Sequence, residues 1–160
     1  MFFSKKFKKF DNINHCFFSK NNGVSQGIYN SLNCGLGSDD KRENILKNLE
    51  IVSKKIGISA ENLYTMNQTH SSKVTIINNT NKHIQRISSD ALITSQKNIA
   101  ISVLTADCVP VLIYEKKNNI VACVHAGWKG AISGIIENTL NQIIKMNKNN
   151  NIYVAIGPCI

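Results

Sequence analysis

Two short stretches carry the residues best suited to chemistry: Thr105-Ala106-Asp107-Cys108-Val109-Pro110 and Val124-His125-Ala126-Gly127-Trp128-Lys129-Gly130, with Gln68-Thr69-His70 upstream of both. They offer two imidazoles and one thiol, a donor set from which a three-ligand metal site with an open fourth position can be built. Each donor falls where a run of apolar residues begins or ends, the kind of place from which folded proteins display functional side chains. No CxxC or HExxH spacing accompanies them, so the residues leave two chemistries open. In the first, His70, Cys108 and His125 hold a metal ion that lowers the pKa of a water molecule or polarises a substrate atom. In the second, Cys108 is a nucleophile with His125 as its base, and His70 has no part.

Neighbouring residues extend both readings. Asp107 can orient a histidine or move protons, or it can simply lie exposed or cap a helix. Gly127-Trp128-Lys129-Gly130 can open a helix with its lysine toward an anion such as phosphate; the alternative is a glycine-bearing turn with a solvated lysine and a packing tryptophan.

The elements that must position these groups are read from periodicity. Asp40 and Glu43 have capping-box spacing, Ile45, Leu49, Val52 and Ile56 follow at helical intervals, and Gly57 supplies a stop, which predicts a first helix. Residues 17–36, rich in Gly, Ser and Asn, precede it as a turn-rich segment. Strand-like runs cover residues 74–77, 91–94, 99–105, 109–114 and 120–124. Lys116-Lys117-Asn118-Asn119 reads as a hairpin connection between the last two. Pro110 has no place inside a central ladder and so implies a bend or bulge beside Cys108. A second helix is predicted from Ile132, Ile135, Ile136, Leu140, Ile143 and Ile144, then a polar run over residues 147–151 and a last strand over 152–156. The order implies an α+β (mixed α/β) fold with a mixed sheet flanked by helices, residues 1–160 forming a single domain.

Composition narrows the classes. The net charge of +9 comes from 19 basic residues of which only Arg42 and Arg86 are arginine, so it does not read as a nucleic-acid signal. The densest run, Lys5, Lys6, Lys8 and Lys9 interleaved with Phe2, Phe3, Phe7 and Phe10, can touch phosphates or a membrane surface, or form a solvated or edge-strand start. No signal-peptide core and no bilayer-length apolar stretch are present in the sequence, and five widely spaced cysteines do not suggest a disulfide framework. The expectation is a soluble cytoplasmic protein with free thiols.

Read in order, Phe17-Phe18-Ser19, Gly23-Val24-Ser25, Ser31-Leu32-Asn33, Gln68-Thr69-His70, Ala106-Asp107-Cys108-Val109-Pro110-Val111, His125-Ala126-Gly127-Trp128-Lys129-Gly130 and Gly157-Pro158-Cys159-Ile160 resemble the bacterial laccase-domain family, also called the multicopper polyphenol oxidase or purine nucleoside phosphorylase family. The resemblance implies that His70, Cys108 and His125 bind Zn²⁺. It implies phosphorolysis of adenosine, inosine, guanosine and methylthioadenosine, together with adenosine deamination, in the cytoplasm. Purine nucleoside and phosphate are then the partners, with no nucleic acid and no membrane. Asp107 becomes the candidate catalytic residue, and Gln68 and Lys129 the candidate substrate-binding residues. Copper fits less well, because multicopper oxidation needs many imidazoles and the chain has four histidines.

Three departures from the family pattern stand out. Asn48-Leu49 replaces a common Asn-Arg, and Lys129 replaces the arginine after tryptophan, which keeps the charge and loses the bidentate fork. Family members also continue well past the Gly-Pro-Cys-Ile motif, so a C-terminal segment is expected to be missing. A metal-independent Cys-His hydrolase and a truncated, inactive metal-binding domain are the alternative readings.

Overall fold

A computed structural model describes residues 1–79, 86–147 and 151–160, without the side chains of residues 86 and 147. His83 and residues 148–150 of the polar run lie outside the described residues. The chain divides into two compact units, Met1–Leu63 and Tyr64–Ile160.

In the first unit the predicted helix is α1, Arg42–Ile56. Ile45 and Val52 are buried and Leu49 and Ile56 half-buried, as the apolar spacing requires. The C-terminal stop is also as expected: Gly57 adopts φ 88°, and the N–H groups of Gly57 and Ile58 donate to the Ser53 carbonyl, a closure that favours glycine. The start differs from the capping-box expectation. Lys41 occupies the cap position without a side-chain bond, and the Asp40 carboxylate accepts instead from Ser25 Oγ at 2.6 Å and Asn33 Nδ2 at 3.1 Å. Asp40 therefore ties the preceding loop to the start of α1, where the Lys41 N–H also donates to its Oδ1 at 2.8 Å.

The same loop is organised by Asn48, which is fully buried on α1. Its amide nitrogen donates to Ser25 Oγ (2.8 Å), the Ser31 carbonyl (3.2 Å) and the Asn33 carbonyl (2.8 Å), and its Oδ1 accepts from Val24 N–H (2.8 Å). A segment without regular structure must satisfy its backbone polar groups by other means, and here one amide meets three of them and a serine hydroxyl. Gly23 is required for the close approach: a Cβ there would stand 2.1 Å from the Ser31 carbonyl oxygen. At the N-terminus Phe2 and Phe17 form an isolated antiparallel bridge, Phe7 and Phe10 are buried, and Lys5, Lys6, Lys8 and Lys9 are exposed.

The described residues of the second unit form eight strands: β1 Leu63–Asn67, which starts at the unit boundary, β2 Val74–Ile77, β3 Arg86–Ser88, β4 Ala91–Thr94, β5 Ala100–Ile101, β6 Val109–Glu115, β7 Ile120–Ala126 and β8 Ile152–Ile156. A five-stranded sheet has the order β2-β4-β7-β6-β8, and a three-stranded sheet the order β3-β1-β5. β2 runs parallel to β4, while β4–β7, β6–β7 and β6–β8 are antiparallel, which makes the mixed sheet that the sequence predicts. The class is mixed α/β.

The central strands are covered on both faces. Ala91, Ile93, Val111, Ile113, Ala122 and Val124 pack with Ile135 and Ile143 of the last helix, and Leu92 and Cys123 pack on the other side with Tyr64, Met66 and Ile77. Alternate residues of one strand thus feed two cores. The β6–β7 hairpin closes as expected, around a buried carboxylate: Glu115 accepts the N–H groups of Lys117 and Asn118, both at 2.9 Å.

Three sequence expectations are corrected. The helix predicted from Ile132 is two helices, α2 Trp128–Ile132 and α3 Ile135–Asn147, separated by Gly134 at φ 81°. Ile132, expected on the packed face, is 82% exposed as a result. The strand expected over residues 99–105 shrinks to Ala100–Ile101, because the Gln68 amide takes both the N–H and the carbonyl of Leu104, at 2.8 and 2.7 Å, in place of a strand neighbour. β1 and β3 were not legible as strands. Pro110, expected outside any central ladder, instead stands in β6 opposite His125 of β7: residues 106–108 bend just before the strand, and the Pro110 carbonyl still accepts from Gly157 N–H at 2.9 Å, so the proline removes one donor at the end of the ladder with β8.

Asn48→Ala removes the donors and acceptor on which the first unit's loop depends. The expected loss is roughly 1–3 kcal/mol, the cost of leaving buried polar groups unmatched, read as a lower urea midpoint at unchanged m-value.

Candidate metal centre

Sheet topology brings the predicted donors to one end of the five-stranded sheet. β4 begins there, so parallel β2 also begins there, antiparallel β7 ends there, and β6 begins there. His70 lies in the connection entering β2, Cys108 in the bend entering β6, and His125 one residue from the end of β7. The register sets Pro110 opposite His125 and Val109 opposite Ala126, which leaves Cys108 at the rim beside them.

The donor atoms of His70, Cys108 and His125 all lie within 4.8 Å of one another. His70 Nε2 is 3.7 Å from Cys108 Sγ, and the two imidazoles meet edge to face with centroids 4.7 Å apart. A tetrahedral zinc with Zn–S near 2.3 Å and Zn–N near 2.0 Å would set sulfur and nitrogen roughly 3.5 Å apart. The three residues therefore fit a metal ion with little adjustment. His125 is buried, Cys108 half-buried and His70 exposed, so the fourth position can open toward solvent on the His70 side.

Within the cluster Cys108 Sγ is 3.7 Å from His70 Nε2, while His125 Nδ1 lies 2.8 Å from Asp90 Oδ1. Asp90, which the sequence reading missed, is fully buried just ahead of β4. Its Oδ1 also accepts the His70 N–H at 3.0 Å, and its Oδ2 accepts the Ser71 hydroxyl at 2.6 Å and the Ser71 and Thr69 N–H groups at 2.8 and 3.2 Å. Burial pushes the Asp90 carboxyl up, but these hydrogen bonds, led by Ser71 and His125, outweigh it and hold the pKa at about 2. An acidic residue immediately before the apolar run Ala91-Leu92-Ile93 was the one available sign.

His70 itself sits at φ 58°, in the left-handed region that non-glycine residues seldom occupy. Gly127 supplies the space for the cluster: a Cβ there would stand 2.5 Å from His70 Cδ2 and 3.1 Å from Cys108 Sγ. The other predicted residues ring this centre less tightly. Asp107 is exposed beside Cys108, and its carbonyl accepts from Ile160 N–H. Gln68 is committed to Leu104 through its amide. Lys129 is exposed on α2 with Nζ 5.4 Å from the Trp128 ring centroid. Trp128 is 69% exposed, which removes the packing role as its explanation. Among the remaining cysteines, burial pushes Cys34 up to about 11 and Cys123 up to about 12, so both remain protonated packing residues.

The family described as multi-copper polyphenol oxidoreductase laccase matches residues 14–160. A purine nucleoside phosphorylase of Bacteroides thetaiotaomicron is 32% identical, over 94% of this chain and 59% of its own length. A purine nucleoside phosphorylase of Clostridium acetobutylicum is 38% identical, over 81% of this chain and 52% of its own. Among solved structures, Bacillus licheniformis hypothetical protein YfiH superposes with a TM-score of 0.82 at 28% identity, over 88% of this chain and 56% of that one. YlmD from Geobacillus stearothermophilus gives 0.80 at 26% identity, with the same coverage. The chain thus spans a little over half the length of the relatives it matches.

Gly127→Ala forces His70 and Cys108 apart from their present positions. Affinity for a divalent metal ion, measured by competition with a chromophoric chelator, should fall roughly 10–100-fold, the range found when the surroundings of metal ligands are disturbed.

Proposed function

The chain belongs to the multi-copper polyphenol oxidoreductase laccase family, and on that premise we propose that it is a zinc-dependent purine nucleoside phosphorylase of the cytoplasm, with adenosine deaminase activity. The observation that carries the reading is the His70, Cys108 and His125 cluster in a chain whose relatives in Bacteroides thetaiotaomicron and Clostridium acetobutylicum are named purine nucleoside phosphorylases. Adenosine, inosine, guanosine and methylthioadenosine are the proposed substrates, with phosphate as co-substrate. Residues 1–160 act in this reading as one laccase-like domain.

Zinc is favoured over copper by the donors. Two imidazoles and a thiolate with one open position suit a catalytic zinc, and multicopper chemistry needs several ions where the described residues hold a single group of three such donors. When bound, the metal supplies Lewis acidity at a substrate atom or water. In phosphorolysis a phosphate oxygen forms a bond to C1′ while the C1′–N9 bond breaks, releasing the base and ribose 1-phosphate. Asp107, exposed beside Cys108, delivers a proton to the departing purine. Lys129 holds the phosphate as a point charge, and Gln68 shapes the substrate side of the centre through its grip on Leu104.

The test uses the purified chain, its metal content, and adenosine with and without phosphate. Adenine and ribose 1-phosphate that form only with phosphate support phosphorolysis, and inosine supports deamination. Chelation should abolish both, and zinc restore them. Asp107→Ala should lower kcat about 10²–10⁴-fold, the usual contribution of a positioned acid. Turnover that survives in His70→Ala would sink the zinc mechanism, and stoichiometric zinc without turnover would leave a metal-binding domain.

A further inference from the structure

An imidazole can serve a metal only through a nitrogen that carries no proton, so a histidine ligand needs something to hold its proton on the other nitrogen. For His125 that partner is Asp90, whose Oδ1 lies 2.8 Å from Nδ1. A carboxylate is acceptor only, so Nδ1 is the donor and Nε2 is left free.

The same oxygen does a second task. Oδ1 also accepts the backbone N–H of His70 at 3.0 Å, between the N–H groups of Thr69 and Ser71 that reach Oδ2. Three consecutive amides thus converge on one carboxylate, the way a backbone nest grips an anion. They include the residue at φ 58°, a conformation that its surroundings must hold in place. The Asp90 carbonyl adds a bond from His125 N–H at 2.8 Å, so both histidines are fastened to one residue at the start of β4.

We infer that Asp90 is a positioning residue that joins the two histidines into one unit, fixing the proton of His125 on Nδ1 and the left-handed loop of His70 so that both rings meet Cys108 at the same point. The inference rests on the reading of the cluster as a metal site. Asparagine has the same shape but places an NH₂ against N–H donors on one oxygen position or the other. Glutamate is one methylene too long for a fully buried site.

The first experiment needs no variant. Nitrogen-15 NMR of the metal-free protein, labelled at histidine, should show His125 as the Nδ1–H tautomer with Nε2 unprotonated; the Nε2–H tautomer would overturn the inference. The second compares Asp90→Asn with Ser71→Ala by zinc competition titration. Asp90→Asn should weaken zinc binding roughly 10–100-fold and mix the tautomers of His125. Ser71→Ala removes the 2.6 Å bond to Oδ2 without touching His125, so it should lower thermal stability while leaving the tautomer and, within about threefold, zinc affinity unchanged. Equal losses of affinity in the two variants would reduce Asp90 to a structural residue and refute the inference. Normal zinc binding without nucleoside turnover would defeat the phosphorylase reading and leave this one standing, whereas a wild-type chain that binds no zinc would end both.

Discussion

A carboxylate buried away from water must be surrounded by donors, since an uncompensated buried charge costs several kcal/mol, and Asp90 is buried completely. Its donors come from the loop that carries His70 and from the ring of His125. Satisfying one charge therefore aligns three separate elements: the start of β4, the entry to β2 and the end of β7. The centre that could hold a metal is assembled around this requirement, and Cys108 completes it from the bend before β6.

The sheet makes that convergence possible. β7 lies between β4 and β6, with Ala91 opposite Val124 and Val111 opposite Val124 on its two sides. A register shift of one residue would turn every side chain to the other face. Both faces are packed, one by α3 and the other by residues of the smaller sheet, so the strands cannot slip and the rim positions are held. Chemistry then sits at the strand ends, where backbone pairing stops and polar groups are free to be used. Gly127 belongs to the same logic, because the turn from β7 into α2 passes too close to His70 and Cys108 for any side chain.

Family membership and donor count pull in different directions. The family carries a multicopper description, while the described residues bring together one set of three donors and the relatives are named for nucleoside phosphorolysis. Three donors in one cluster suit a single ion. Asn48 shows the same separation of roles in the first unit. It stands where the family motif resembles Asn-Arg, and its task here is to satisfy the backbone of a turn-rich loop.

Much of the fold was legible because it follows local periodicity. The apolar intervals of α1, the runs that became β2, β4, β6, β7 and β8, the hairpin at residues 116–119 and the Gly57 stop depend on nearest neighbours along the chain. The three donors were legible by residue type and by their position at element ends. The failures were non-local. Nothing nearby in the sequence says that the Gln68 amide replaces a strand partner for Leu104, that Gly134 divides the second helix and turns Ile132 outward, or that Asp40 is spent on Ser25. Asp90 is the clearest case: it lies 20 residues from His70 and 35 from His125, and only strand pairing puts its Oδ1 between them. The sequence by itself determined which residues can bind and which segments repeat with a helical or strand period. The tertiary structure decided which nitrogen of His125 is tied to Asp90, because hydrogen-bond partners across strands are a property of register and not of spacing along the chain.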